Sequence, residues 1–228
     1  MLKTLGYAAG ASLPLLAGAL VGVRWRPPRH LVATALAYAA GALIASVSFE
    51  LFETSYRGGG ALRAGLSFAA GALVFVVADY ALDRKTAGNP TGWALLAGVT
   101  LDGIPENTAL GVSLTEAGSV ALLVAVFASN FPEALAGAIS MQDNGRSKKS
   151  VVALWAAATV LLAAAVFAGR FAFAGASPET LALPLAFAGG AVLTSVIDTL
   201  APEAFSEGGP LIALASAAGF VTGYMLSL

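Results

Sequence analysis

Long apolar runs, separated by short polar breaks, make up almost the whole chain. Each run is long enough to cross a bilayer, for which about 20 apolar residues are needed. Ala, Leu and Val follow one another within the runs, without the alternation of apolar and polar residues that is typical of a transmembrane strand. The pattern predicts an all-α integral membrane protein whose single transmembrane domain fills 1–228. The predicted helices are 5–23, 31–53, 61–82, 93–114, 118–141, 149–172, 180–204 and 210–228.

The distribution of lysine and arginine predicts how these helices are oriented. Eight basic residues follow the first, third and fifth spans, and the other four lie on the opposite side. Because cytoplasmic loops are enriched in basic residues, both termini are expected outside, in a multi-pass protein of the inner (cytoplasmic) membrane. The first apolar run is interpreted as a membrane span, since its basic cluster follows the run, whereas that of a signal peptide precedes it. The inside group is Arg24, Arg26, Arg29, Arg84, Lys85, Arg146, Lys148 and Lys149.

Composition narrows the chemistry that is open to the chain. Charged residues make up 11% of the 228 residues, against about 25% in a soluble domain. There is no cysteine, and the single histidine, His30, lies in a basic loop, so any metal site must use oxygen donors. The sequence contains no Gly-x-x-x-x-Gly-Lys, His-Glu-x-x-His or Gly-x-Ser-x-Gly motif. We therefore expect no enzymatic activity and no nucleotide partner, and without a basic groove no nucleic-acid partner.

Two stretches of the chain resemble each other without a gap. GALIASVSFELFETSYRGG at 41–59 and GAVLTSVIDTLAPEAFSEG at 190–208 share Gly, Ala, Ser, Val, Leu and a final Gly, and Tyr56 pairs with Phe205. They belong to the predicted second and seventh helices, which would cross the membrane in opposite directions. The pattern predicts an inverted repeat of helices 1–3 and 6–8 around a central pair. Secondary transporters are often built from inverted repeats, with the substrate near the midplane at discontinuous helices.

The two central helices carry the same Pro-Glu phrase in the middle of their apolar sequence. DGIPENTALGVSL occupies 102–114, and SNFPEALAGAISM occupies 129–141. An ionisable side chain at that depth is costly and usually marks an ion or substrate path. Each proline also lacks an N–H group, so it frees a carbonyl one turn earlier, that of Leu101 in the fourth helix and that of Ala128 in the fifth.

Facing central helices would combine these groups into an oxygen-rich site. Asp102 and Glu106 are four residues apart and share a helix face, while Ser129, Asn130 and Glu133 lie on the fifth helix. Neither span contains a lysine or arginine, so a divalent cation is the expected counter-charge. Two simpler interpretations stay open: protonated carboxyl groups that hydrogen-bond between the helices, and prolines that only kink them.

Further acids lie near the ends of the repeat helices. Glu50 and Glu53 are three residues apart near the outer end of the second helix, where they would recruit the ion. Asp198 and Glu203 lie near the inner end of the seventh helix, where they would receive it. Acids at helix ends also reach interfacial water without any such role, so this alternative is kept.

These phrases resemble a known family of membrane transporters. GIPENTALG and NFPEALAG are similar to the paired His-Asn-x-Pro-Glu-Gly signatures of the fourth and fifth helices in the ZIP family of divalent metal transporters. LAPEAF resembles that family's Leu-Pro-Glu-Ala element, and FELFET on the second helix is a degraded copy. The resemblance implies a 3+2+3 fold, a metal site between helices four and five, uptake toward the cytoplasm, a homodimer and elevator-like movement.

The resemblance also implies particular metal ligands. Asp102 stands where the family has its first histidine, and Glu106 and Glu133 keep its two glutamates. Asn130 is kept, Ser129 replaces His or Gln, and the remaining candidate donor, on the fourth helix, is Asn107 in place of a usual Gly. Oxygen donors without imidazole favour harder ions such as Mn²⁺, Mg²⁺ or Ca²⁺, while the resemblance keeps Zn²⁺ and Fe²⁺ first among the candidates. The expected substrate is therefore a divalent cation of the Zn, Mn, Fe or Cd class, with no organic cofactor.

Three other functions stay open beside metal uptake. The same acids are compatible with a proton- or sodium-coupled carrier of another solute, which would need a larger cavity and a group that binds that solute. They are also compatible with a non-transporting metal sensor, or with a channel that conducts without saturation. The paired acids would in principle activate water in an intramembrane enzyme, but no motif of such an enzyme is present.

Overall fold

The computed structural model describes residues 1–86 and 92–228, and within them the backbone is helical apart from short connections, with no strand. The connection predicted between the third and fourth helices falls in part on residues 87–91, outside the described residues. In the described part of the chain the α-helices are α1 Leu2–Gly22, α2 Arg29–Ser46, α3 Glu53–Thr86, α4 Gly92–Ser113, α5 Val120–Asp143, α6 Lys148–Ala172, α7 Pro178–Ser195, α8 Ala201–Gly208 and α9 Ala213–Ser227.

Several of these helices are long and apolar enough to cross a membrane. Among the described residues five stretches qualify, and the second of them, Arg29–Leu82, runs through more than one helix. Large apolar side chains on α3, such as Leu62, Leu66 and Leu73, are exposed on the outside of the bundle. Lipid would cover such a surface, whereas a soluble protein would bury it. The predicted class, an all-α multi-pass membrane protein, is confirmed at this level.

Two π-helical segments lie at positions that the alignment of 41–59 with 190–208 matches. Val47–Phe52 joins α2 to α3, and Val196–Leu200 joins α7 to α8. Because a π-helical turn holds more residues than an α-helical turn, it changes which side chains share a face beyond it, and such turns are frequent at functional sites. Hydropathy alone predicts an uninterrupted α-helix at each of these two places, because an extra residue in one turn does not interrupt the apolar run.

Two glycines with positive φ mark where these long helices bend. Gly60 has a φ of 78° within α3, and Gly209, with a φ of 67°, follows α8. Glycine adopts this backbone conformation without the steric penalty of a Cβ. The helix that the sequence predicts to end at 53 therefore continues to Gly60, and the one predicted to end at 204 continues to Gly208.

Four helix pairs form the most extensive contacts of the described bundle: α3 with α7, α2 with α9, α1 with α5, and α4 with α6. The first pair is in backbone contact, since a Cβ at Gly190 would overlap the carbonyl oxygen of Phe68, and one at Gly71 would overlap that of Phe187. The pair α2–α9 makes the same kind of contact through Gly41 and Gly219. Small residues at such interfaces allow membrane helices to approach closely.

The two central helices are held by different neighbours. Besides its extensive contact with α6, α4 packs on α7, and besides its contact with α1, α5 packs on α2. Direct contact between α4 and α5 is slight. The polar side chains of these two helices are therefore positioned mainly by the outer helices on which α4 and α5 pack.

Candidate cation site

On α4, the predicted ligands lie on either side of Pro105. Glu106 is 5% exposed, and Asp102 is half-buried. The Oγ of Ser195 on α7 donates a hydrogen bond of 2.9 Å to Oδ1 of Asp102. Asp102 is therefore linked to a neighbouring helix by one of its two carboxylate oxygens.

Asn107 contributes a buried acceptor beside Glu106. Its side chain is fully buried, and its Nδ2 donates a hydrogen bond of 2.8 Å to the carbonyl oxygen of Gly103 in the same helix. In the described structure its Oδ1 is buried without a hydrogen-bond donor. Buried acceptors are nearly always paired, so this oxygen has the properties expected of a ligand to a cation.

On α5, the predicted ligands are also buried. Asn130 is 2% exposed, and its Nδ2 donates a hydrogen bond of 2.7 Å to the carbonyl oxygen of Ala11 on α1. This bond uses the amide nitrogen and leaves the amide oxygen, the atom that would bind a cation. Ser129 donates to the carbonyl oxygen of Val126 at 3.1 Å, and Glu133 is half-buried one turn further along.

The structure brings the three central carboxyl groups into electrostatic range of one another. Glu106 interacts with both Glu133 and Asp102, and Glu133 also interacts with Asp102. The group extends to the seventh predicted span, because Glu133 interacts with Glu203 and Asp102 interacts with Asp198. Within the described residues, no three acidic or histidine side chains lie close enough together to hold a metal ion in this structure.

Glu50 and Glu53 do not join this group and differ from each other. Glu50 belongs to the π-helical segment Val47–Phe52, lies in electrostatic range of Tyr7 on α1, and lines a small cavity. Glu53 begins α3 and forms an exposed salt bridge with Arg57, one turn later in the same helix. Exposed ion pairs of this kind contribute little to stability.

Two cavities lie at opposite ends of α5. The Glu203 cavity has a volume of about 410 Å³, and its lining includes Glu203, Asp143 and Arg29. Arg26 also lines it and forms a salt bridge of 2.7 Å with Asp143. The Glu50 cavity has a volume of about 140 Å³ and lies at the N-terminal end of α5, beside the α4–α5 connection. A second space of about 280 Å³ adjoins it and shares Thr54, Glu116, Leu181 and Leu185.

The linings of the Glu203 cavity, of the Glu50 cavity and of the space that adjoins it include residues at matching places in the sequence. Between residues 29–54 and residues 178–203 the members of each pair differ by 149 in residue number, as Val32 and Leu181 do. On the central helices they differ by 27, which is also the spacing between Pro105 and Pro132. The matched pairs are Arg29 and Pro178, Val32 and Leu181, Ala33 and Ala182, Leu36 and Leu185, Thr54 and Glu203, Val112 and Ile139, Ser113 and Ser140, and Glu116 and Asp143.

Ser195 is a site residue that sequence reasoning misses. It lies in the repeat alignment opposite Ser46, but a serine in an apolar helix usually bonds to its own backbone and carries no signal of its own. Its partner, Asp102, becomes visible only when α4 and α7 are packed together.

Fold and site together define a multi-pass α-helical membrane protein whose helices α4 and α5 carry three acidic side chains in electrostatic range of one another, of which Glu106 is buried. Neither the family models nor the curated proteins that we compared with this chain give a match. The likeness to the ZIP family therefore rests on the motif residues themselves.

Proposed function

We propose that this protein is a membrane carrier that takes up divalent metal cations through a carboxylate-rich site between α4 and α5. The observation that carries the proposal is the group formed by Asp102, Glu106 and Glu133, which lies in electrostatic range within apolar helices. No lysine, arginine or histidine occurs between residues 92 and 143. Buried charge of one sign requires a counter-charge, and a divalent cation supplies it.

The cation itself would complete the site. Three carboxylates that repel one another stay apart until a cation draws them together, so the ligands close around the ion as it binds. The amide oxygen of Asn130, the buried Oδ1 of Asn107 and the Ser129 hydroxyl are neutral oxygen donors beside them. Such donors suit Mn²⁺ and Mg²⁺, while the resemblance to the ZIP family keeps Zn²⁺, Fe²⁺ and Cd²⁺ among the substrates.

The proposed topology has eight spans in a 3+2+3 inverted repeat. The second span is α2 continued to Gly60, the third is the rest of α3, and the seventh is α7 continued through α8. The eighth is α9 with the 3₁₀ turn Pro210–Ile212 that precedes it. The equivalent π-helical segments, the glycine bends and the matched cavity linings support a repeat of this kind.

In this topology both termini lie outside, and the two cavities lead to opposite sides of the membrane. The Glu50 cavity would open outward and receive the ion, and the Glu203 cavity would open inward and release it. Related cavities on either side of one central site are what alternating access requires. The resemblance to the ZIP family further suggests a homodimer in the lipid bilayer.

Uptake of a cation panel into proteoliposomes tests the proposal. We expect saturable uptake of one or more of Zn²⁺, Mn²⁺, Fe²⁺, Cd²⁺ and Mg²⁺ by vesicles that contain the native chain, and none by empty vesicles. Saturation distinguishes a carrier from a channel. If the folded native chain takes up none of these ions, the proposal is wrong, and the carboxyl groups become candidates for structural hydrogen bonding.

Uptake is also expected to weaken in acid. Metal binding to a carboxylate requires its deprotonated form, so protons compete with the cation as the pH falls. Between about pH 7.5 and about pH 5.5 the KM for the transported ion should therefore rise. The measurement uses equal pH on both sides of the vesicle membrane, so that a proton gradient does not contribute. A KM that stays constant over this interval would contradict a carboxylate site.

A further inference from the structure

Asp102 accepts one hydrogen bond from the described side chains, and its donor is Ser195. This bond engages one of the two carboxylate oxygens. Ser195 is the last residue of α7, is 6% exposed, and immediately precedes the π-helical segment Val196–Leu200. Its Oγ lies 2.9 Å from Oδ1 of Asp102 and donates to it, because a carboxylate oxygen is the acceptor. This hydrogen bond joins α7 directly to one of the proposed ligands on α4.

Thr199 supports the orientation of Ser195 from the π-helical segment. Its hydroxyl donates a hydrogen bond of 2.6 Å to the Ser195 carbonyl oxygen, and the two hydroxyl oxygens lie 3.4 Å apart. Thr199 thus lies on the same side of the helix as the bond to Asp102. The hydroxyl groups of Thr199 and Ser195 lie together beside Asp102, and Asp198 and Asp79 are also in electrostatic range of that carboxylate.

The other repeat lacks this arrangement. Ser46 lies at the matching position of the first repeat, 149 residues earlier, and its Oγ is buried without a partner in the described structure. The residue that matches Asp102 on α5 is Ser129, whose hydroxyl bonds to its own helix. The same helix packing therefore gives a serine–carboxylate bond in only one half of the molecule. The bond is a feature of the Asp102 side and does not follow from the fold alone.

We propose that Ser195 is a positioning residue that makes Asp102 a one-oxygen ligand and thereby sets the ion selectivity of the carrier; this inference rests on the proposed function. With Oδ1 held by the serine hydroxyl, Oδ2 is the oxygen that faces a cation. Ca²⁺ takes six to eight oxygen ligands and often binds a carboxylate through both oxygens, whereas the smaller Mg²⁺ needs a compact octahedral set. Holding one oxygen away therefore disfavours Ca²⁺ relative to smaller divalent ions.

Competition by Ca²⁺ in proteoliposomes tests this role. The variants are Ser195→Ala, which removes the donor, and Ser195→Thr, which keeps a hydroxyl. Thr194→Val is the matched control, because Thr194 is adjacent on the same helix and its hydroxyl donates only to the Gly190 carbonyl oxygen of that helix, at 2.8 Å. The readouts are the KM for whichever panel ion the native chain takes up and the inhibition constant of Ca²⁺.

In Ser195→Ala we expect inhibition by Ca²⁺ to strengthen about tenfold relative to the transported ion, in line with the effect of removing partners that orient metal ligands. Ser195→Thr and Thr194→Val should keep the native ratio. If Ser195→Ala does not fold, Ser195→Cys replaces it, since a thiol is a weak donor of similar size, and the same shift is expected. Native uptake with an unchanged Ca²⁺ ratio in the donor-deficient variant overturns the role of Ser195 alone. Absence of native uptake overturns the proposed function, and this role with it.

Discussion

Replacing Glu106 with glutamine is expected to abolish saturable cation uptake. Glutamine keeps the size of the side chain and removes only its charge. Because Glu106 is 5% exposed and lies in electrostatic range of Glu133 and Asp102, water cannot readily supply the missing ligand. Loss of a residue that merely orients a metal ligand already costs 10- to 100-fold, so the loss of the ligand itself should lower kcat/KM by about 100-fold or more. Initial rates of uptake into proteoliposomes measure the effect.

Glu179 provides the matched control for this substitution. It lies exposed in the first turn of α7, so Glu179→Gln makes the same chemical change at the surface. That variant should take up the ion at the native rate. A Glu106→Gln protein that elutes as the native one does and transports at the native rate would show that the carboxyl group is protonated. Its function would then be hydrogen bonding between helices.

The parts of the fold that were predictable are those that depend on hydropathy. Apolar runs of sufficient length specify membrane helices whatever their packing, and the all-α class follows from them. The central acids were equally visible, because a carboxylate in an apolar run stands out from every neighbour. The structure places Glu106 and Asn130 in buried positions on α4 and α5, as a central site requires. Whether that site binds a cation stays a prediction.

Features that depend on hydrogen bonds and backbone angles were not predictable in the same way. The π-helical segments leave the apolar run intact, so they are invisible to hydropathy. Their effect is clearest at Glu50 and Glu53, which an α-helical count places together on one face. In the structure a π-helical segment ends between them, at Phe52, and Glu53 forms a salt bridge with Arg57. Of the two, only Glu50 is among the residues that line the Glu50 cavity.

Partners of the site residues depend on which helices pack together, and single-helix patterns do not contain that information. Ser195 reaches Asp102 only because α7 packs on α4, and Asn130 reaches the Ala11 carbonyl only because α5 packs on α1. The repeat alignment gave the equivalence of Ser46 and Ser195. The alignment does not show that the two serines differ in environment: the Ser195 hydroxyl bonds to Asp102, and the Ser46 hydroxyl is buried without a partner in the described structure.

Gly190→Ala is expected to destabilise the whole bundle, because it would force α3 and α7 apart. The added Cβ would overlap the carbonyl oxygen of Phe68, which is backbone and cannot rotate away. Gly71 makes the reciprocal approach to Phe187, so both ends of this contact would have to open together. Overpacked sites lose about 1–3 kcal/mol, and a clash with backbone should lie at about 3 kcal/mol. The melting temperature in detergent measures the loss.

Gly65→Ala separates this steric effect from the general effect of replacing a helical glycine. Gly65 lies on α3, between the residues that contact α7, and a Cβ there would meet nothing within 4 Å. Alanine is the better helix former by about 0.5–1 kcal/mol, so this variant should raise the melting temperature. If Gly190→Ala lowers the melting temperature and Gly65→Ala raises it, the backbone contact, and not helix propensity, holds α7 against α3. If both substitutions changed the melting temperature by the same amount and in the same direction, the close approach of α3 and α7 would not be what holds the two helices together. A rigid α7 matters for the site, because Ser195 reaches Asp102 from the end of that helix.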